Sequence, residues 1–170
     1  MERKHTARVI QFSCEYSELH LPSRTCDHQT ARRHHSSQVL ASSAAISIIS
    51  LYDKFLSSLG YIRTSEYAGD VPCWSVGSDA VVLSIGLHKA RITAPHDRYA
   101  VGLHHIAFHA MSRQEVDDVH ALAVSISAVI LDNPAEYDYT PGHYATFIAD
   151  PDGIKLEVVY EPSLQPSSNA

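Results

Sequence analysis

Residues 142–160, GHYATFIADPDGIKLEVVY, predict a β-hairpin, and the rest of the chain is organised around it. Two runs of alternating character flank the sequence DPDG at 150–153. Proline presets φ at about −65° in such a turn, and glycine closes the turn without steric cost. In the strand after the turn, the Glu157 side chain should point to one face of the sheet and those of its neighbours Leu156 and Val158 to the other. A buried carboxylate needs a compensating partner, for which a metal ion is one candidate; the alternative is an edge strand with Glu157 in water.

The composition is that of an ordinary globular protein, long enough for one domain or for two small modules that share a core. The net charge of −6 argues against nucleic acid and anionic membranes as main partners. No apolar run approaches the roughly 20 residues that are needed to cross a bilayer. The three cysteines are irregularly spaced, which favours a reducing, cytoplasmic compartment over a disulfide framework.

Residues 1–42 are rich in Ser, Arg and His and lack lasting periodicity, so we expect an irregular, mobile segment. Within it, residues 8–14 suit a short strand, and the run RRHH at 32–35 is either a basic patch or part of a solvated tail. The Arg and Ser content is also typical of a mitochondrial transit peptide, but the acidic residues of the segment argue against one.

The next part of the chain predicts one helix followed by three strands. Apolar residues recur at spacings of three and four between Ser43 and Gly60, and glycine is a helix stop signal. Strands are predicted at 61–67, 73–76 and 80–85, with turns between them.

After a polar connector at 87–100, the second half repeats this order. A strand at 101–110 precedes a helix that opens with a capping box at Ser112. A strand at 129–131, a loop and the hairpin follow. The halves share an architecture without sequence identity, so the first half should also have an opening strand, which we expect just before Ser43.

Two stretches, GLHHIAFHA at 102–110 and YATFIADPDGIKLEVV at 144–159, resemble the second module of the vicinal-oxygen-chelate superfamily. That superfamily includes glyoxalase I, extradiol dioxygenases, methylmalonyl-CoA epimerase, and the fosfomycin and bleomycin resistance proteins. The stretch LYDKFLSSLGY at 51–61 is similar to the first helix of the family. In all, the resemblance covers roughly residues 44–160.

The resemblance implies an α+β fold in which paired βαβββ modules form a cup-shaped, partly open β-sheet barrel with flanking helices. The first module would span 43–86 and the second 101–162, joined by the linker 87–100. A tail would follow at 163–170.

The resemblance also implies a divalent metal (Zn, Fe, Mn, Co or Ni) held inside the cup by His105 and Glu157. The third ligand would come from the first module, where His35 is the candidate, although it lies earlier than the position that the family uses. The position of the family's first-module carboxylate falls near Leu83, so no catalytic base is assigned. The alternative for His105 is a packed, hydrogen-bonded core histidine.

Four further residues are candidates for contact with a substrate. The alternative is core packing for Trp74 and Tyr144, a place on the surface at a strand end for His109, and an anchor within the linker for Arg98. The candidates are Trp74, His109, Tyr144 and Arg98.

We therefore expect a glyoxalase-like, metal-dependent lyase or isomerase that acts on a small oxygenated metabolite, with a homodimer as a possible assembly. One alternative is a metal-free binding protein of the resistance type, which would sequester a small molecule. Another is an extradiol-dioxygenase-like enzyme of secondary metabolism. Against the latter, Phe147 occupies the place of the tyrosine that dioxygenases carry before the DP turn.

Overall fold

The computed structural model describes residues 10–11, 34–43, 45–67, 71–77 and 81–164. Within the N-terminal segment, the described residues 10–11 and 34–42 form strands, where an irregular segment is expected from the sequence. The predictions for the rest of that segment, including those for most of 8–14 and for the transit peptide, lie outside the described residues. The described part has two α-helices, α1 (Ile46–Ser58) and α2 (Arg113–Ser125). Its strands are β1 (Ile10–Gln11), β2 (His34–Ser42), β3 (Ile62–Tyr67), β4 (Val71–Gly77), β5 (Val81–Lys89), β6 (Ile106–His109), β7 (Val129–Glu136), β8 (Tyr144–Ala149) and β9 (Lys155–Tyr160).

The strands form two sheets, one for each module. The first has the order β2-β5-β4-β3 and the second the order β1-β6-β9-β8-β7. In both modules the opening strand runs parallel to the last one, β2 beside β5 and β6 beside β9. The predicted fold class of paired βαβββ modules is confirmed, and the opening strand expected before Ser43 is β2.

The DPDG turn forms as predicted and also ties the two modules together. Within the turn, Asp150 Oδ1 accepts hydrogen bonds from the backbone N–H groups of Asp152 and Ile154. Its other oxygen, Oδ2, accepts from the buried Tyr52 hydroxyl of α1 at 3.1 Å. The Ser43 N–H donates to Asp152 Oδ2 at 2.6 Å. The turn of the second module therefore fixes the start of the first helix.

Helix α2 begins with the predicted capping box. Ser112 Oγ accepts a hydrogen bond from the Glu115 N–H at 3.1 Å, and Glu115 Oε2 accepts one from the Met111 N–H at 2.7 Å. These contacts satisfy N–H groups that the first turn of a helix leaves without intrahelical partners.

A single main core contains both helices and one face of each sheet. At its centre, the Phe108 ring of β6 packs edge-on against Phe55 of α1, with ring centres 5.1 Å apart, and against Tyr61 at 6.2 Å. Because the helices and both inner faces share this core, the other face of the second sheet points away from it. A small separate cluster lies on that outer face: Ala107, Ala145, Phe147 and Val159.

Three element boundaries differ clearly from the sequence predictions. Strand β5 continues past the predicted end at Ile85 to Lys89, into the first residues of the predicted linker. Strand β6 begins only at Ile106, so His105 lies just before the strand and not within it. Strand β7 continues through Pro134 to Glu136, where a loop is expected from the sequence. It is an edge strand whose pairing with β8 shifts register twice, and edges and bulges are where a sheet accommodates proline.

Candidate functional site

Glu157 occupies the middle of the second sheet. It lies on β9, which is flanked by β6 and β8, with Phe147 and Ala107 directly beside it. The edge-strand alternative for Glu157 is therefore wrong. The side chain is buried, and each carboxylate oxygen faces one imidazole: Oε2 is 3.0 Å from His105 Nε2, and Oε1 is 3.3 Å from His143 Nε2. Two N–H donors thus compensate the loss of water around the carboxylate.

A further histidine, His104, contacts His105. His104 Nδ1 lies 2.7 Å from His105 Nδ1. Neutral tautomers satisfy these contacts if His104 donates to His105 and His105 Nε2–H donates to Glu157. The pKa of His104 is lowered from its ordinary value, first by burial and then by the neighbouring charges of His105, Lys155 and Arg98.

His143 is the site residue that the sequence analysis missed. It lies just before β8 and is buried among aromatic rings, with Tyr139 and Tyr137 edge-on at 5.2 and 6.2 Å. Its Nδ1 is buried without a hydrogen-bond partner, and Glu161 Oε2 is 4.0 Å away. Side chains two and four residues apart in a strand point to the same face, so the His143 side chain should share the face of Phe147, which pairs with Glu157. This signal in the sequence would have identified His143.

The other predicted residues are divided between the two faces of the sheets. His109 follows Ala107 by two positions on β6 and is buried. Trp74 is fully buried in the main core, where its indole N–H donates to Asp53 Oδ1 at 2.9 Å. Tyr144 lies on the helix side of its sheet and donates its hydroxyl hydrogen to Asp117 Oδ1 at 2.8 Å. Neither aromatic residue lies beside Glu157.

The remaining two candidates lie on the linker and on the first sheet. The Arg98 guanidinium stacks over the Tyr99 ring at 5.1 Å, and that ring contacts His104 at 5.8 Å between centres. His35 lies on β2 beside Val82 of β5, in the first sheet.

The donor set offers a metal ion two ligands. His105 Nε2 and Glu157 Oε2 present an imidazole nitrogen and a carboxylate oxygen side by side, and this combination suits the predicted divalent metals. Within the described ranges, no group of three or more His, Cys, Asp or Glu side chains is placed to hold a metal ion.

A sequence model of the Glyoxalase/Bleomycin resistance protein/Dioxygenase superfamily matches residues 2–158. The chain belongs to this superfamily. A candidate glyoxalase from Bacillus halodurans is 28% identical in sequence, and the structures match with a TM-score of 0.57 over 76% of this chain and 95% of that one.

Two other proteins are also similar to this chain. The lactoylglutathione lyase of Agrobacterium tumefaciens has the same fold, with a TM-score of 0.52, 16% identity, and coverage of 76% of this chain and 94% of that one. The uncharacterized protein YqjT of Bacillus subtilis (strain 168) is 35% identical over 107 residues, which are 62% of this chain and 81% of YqjT. Neither of the helices that the structure describes is long and apolar enough to span a membrane.

Proposed function

We propose that this superfamily member is a glyoxalase-like lyase or isomerase that moves a proton on a small oxygenated metabolite. The observation that supports the proposal most is the buried Glu157 carboxylate, held between His105 and His143 on the outer face of the second sheet. A carboxylate held by two imidazoles is oriented for acid–base work. The family membership and the fold of a lactoylglutathione lyase agree with this class of reaction.

The two oxygens of Glu157 have different tasks in this proposal. Oε2 and His105 Nε2 would hold the divalent metal, with the His105 proton moved to Nδ1, where it faces His104. The bound metal would supply Lewis-acid stabilisation of two neighbouring substrate oxygens. Oε1, which faces His143 Nε2, would accept the substrate proton and return it. The apolar wall around Glu157, with Phe147 and Val159, keeps water from the carboxylate.

The reaction is tested by proton exchange. Protein incubated in D₂O with 2-hydroxy carbonyl compounds, including thiol hemithioacetals of methylglyoxal, should introduce deuterium at the carbon beside the carbonyl group, as followed by proton NMR. We expect exchange that depends on protein concentration and is lost after chelation of metals. Absence of exchange across the whole panel would contradict the proposal.

The metal is tested separately by elemental analysis of untagged protein. We expect close to one divalent ion per chain in the native protein and loss of that ion in His105→Ala, because the imidazole supplies one of the two identified donors. His88→Ala is the matched control, since His88 is an exposed histidine of the first sheet. Equal metal content in both variants would remove His105 from the metal site.

A metal-free binding protein is the second candidate, and a pair of stacked tyrosines beside His143 favours it. The rings of Tyr137 and Tyr139 stack in parallel, with centres 5.8 Å apart and planes within 2°, and Tyr139 is 71% exposed. Such a platform suits a flat aromatic ligand. Ligand binding that persists in chelator-treated protein, without any proton exchange, would favour sequestration over catalysis.

We further propose that two chains associate. The face of the second sheet that carries Glu157 points away from the core that the two modules share. The two modules of one chain therefore do not close over it. A first module from a second chain would cover that face and could bring in the candidate ligand His35. Sedimentation velocity should give the mass of a dimer, about twice the 18.7 kDa of one chain. A monomer at all concentrations would contradict this arrangement.

A further inference from the structure

A cavity of about 360 Å³ lies where the two modules meet. Helix α1 of the first module forms one wall, and the end of α2 with the start of β7, in the second module, forms another. The DPDG turn borders the cavity through Pro151. The volume is within the range typical of small-molecule sites. None of His105, His143 and Glu157 lines the cavity, so it is separate from the proposed catalytic site.

One side of the cavity is polar and carries a single formal charge. Ser47, Ser50 and Lys54 of α1 follow one another at spacings of three and four residues, which places them on one face of the helix. No lining residue that the structure describes is acidic. The lysine ammonium group and the serine hydroxyl groups can all donate hydrogen bonds to an anionic oxygen. This side of the cavity therefore complements a ligand group with one negative charge.

The three carboxylates that adjoin lining residues in the sequence have partners elsewhere. Asp53 forms an ion pair with Arg63 at 3.0 Å. Asp150 and Asp152 accept hydrogen bonds within the DPDG turn and from the first module. Because these partners hold all three carboxylates, the charge of Lys54 is left for a ligand.

Ser127, which also lines the cavity, occupies a position where glycine is the usual residue. Its φ is +57°, and among the residues that the structure describes it is the only non-glycine residue with a positive φ. It directly follows Ile126, the C-cap of α2, where a residue in the left-handed conformation closes the helix and glycine adopts that conformation without steric cost. Serine is therefore less stable than glycine at this position, and what it adds is a hydroxyl group at the cavity. Side chains retained at the expense of stability are typical of binding sites.

The other side of the cavity is apolar. Its lining consists of six residues: Leu51, Ile126, Ala128, Val129, Ala149 and Pro151. Val129 is 58% exposed, so an alkyl chain in the cavity would remove part of this surface from water. A ligand that matches both sides has a charged end and an apolar body.

We propose that this cavity binds a small amphipathic carboxylate, such as a short-chain fatty acid. The carboxylate group lies against Lys54 and the serine hydroxyl groups, and the alkyl chain lies against the apolar residues. A single ammonium group with hydroxyl donors suits a singly charged carboxylate better than a phosphate group of higher charge. The bound ligand contacts both modules at once. This site is independent of the proposed function.

The test is an NMR titration of the full chain with hexanoate, with backbone amide shifts as the readout. Two comparison probes separate the parts of the ligand: 1-hexanol has the chain without the charge, and acetate has the charge with almost no chain. We expect hexanoate to shift the amides of residues 47–54 and 126–129 in a saturable manner. Both comparison probes should bind at least about tenfold more weakly, since one lacks the charged hydrogen bond and the other the buried methylene groups.

Variants then assign the binding to this cavity. Lys54→Met should weaken hexanoate binding about tenfold or more, as expected for loss of a charged hydrogen-bonding partner. Ser50→Trp fills the cavity from the exposed side of α1 and should abolish the saturable shifts. Ser57→Trp is the matched control, because Ser57 is an exposed serine of α1 that does not line the cavity, and it should bind as the native protein does.

Ser127→Gly separates binding from stability. Glycine suits the positive φ at this position, so the midpoint of denaturant unfolding should stay the same or rise. Loss of the hydroxyl group should nevertheless weaken hexanoate binding about threefold or more, as expected for one neutral hydrogen bond. Native affinity in Ser127→Gly would remove the hydroxyl group from the site.

Several results would overturn the carboxylate site. They are equal binding of 1-hexanol and hexanoate, no saturable shift with hexanoate, shifts confined to other residues, and unchanged affinity in Lys54→Met or in Ser50→Trp. The titration requires neither metal nor turnover, so its failure leaves the proton-exchange result standing. Conversely, absence of exchange in the native protein leaves a positive titration intact.

Discussion

Glu157→Gln should lower the rate of proton exchange at least about 100-fold, since a positioned acid–base group typically contributes that much or more. The amide has nearly the shape of the carboxylate but no negative charge, so it can neither take the substrate proton nor balance a divalent ion. It would also place an NH₂ group against one of the two imidazole nitrogens that now face oxygen. The rate is measured by deuterium incorporation under the conditions used for the native protein.

Glu136→Gln provides the comparison for this change. Glu136 is a carboxylate on β7 whose side chain is 67% exposed and pairs with Arg113 on the surface, so its loss should leave exchange within about twofold of the native rate. If Glu157→Gln, correctly folded by its NMR spectrum, kept more than a tenth of the native rate, Glu157 would not be the proton acceptor.

Phe108→Ala should lower the free energy of unfolding by about 3–5 kcal/mol, the range typical of a buried phenylalanine replaced by alanine. Phe108 belongs to the second module but packs against Phe55 and Tyr61 of the first, so its removal opens a cavity where the two modules meet. Trp74, the single tryptophan, lies buried in the first sheet. Denaturant unfolding followed by tryptophan fluorescence therefore reports on the module that does not contain the substitution.

A shift of the Trp74 transition to lower denaturant would show that the shared core couples the modules. Ile62→Ala is the control, because Ile62 is 67% exposed and its truncation should change the free energy of unfolding by less than about 0.5 kcal/mol. An unchanged Trp74 transition in Phe108→Ala would mean that the modules unfold independently, which contradicts a common core.

Local sequence rules were sufficient for most of the second module. The DPDG turn and the Ser112 capping box form by hydrogen bonds between residues at most four positions apart, so their residue types predict them directly. Strand alternation places Glu157 and Ala107 on one face and Leu156 and Ile106 on the other, because successive side chains of a strand point in opposite directions.

Other features depend on contacts that no local rule describes. His143 lies at the start of the predicted hairpin, and its contact with Glu157 exists only because β8 and β9 pair. Strand β7 continues past Pro134 because it lies at an edge of the sheet, which the sequence does not specify. The substrate candidates Trp74 and Tyr144 are aromatic residues that suit a core as well as a binding site, and packing placed both on the helix side.

The sequence alone determined the repeated βαβββ order, the turn, the helix start and the parity of each strand, since these depend on neighbouring residues. The tertiary structure decided which of the predicted faces meet: it buried both helices in one core and placed His143 against Glu157. The physical reason is that side-chain burial and charge compensation are settled between segments far apart in the chain, where spacing along the sequence carries no information.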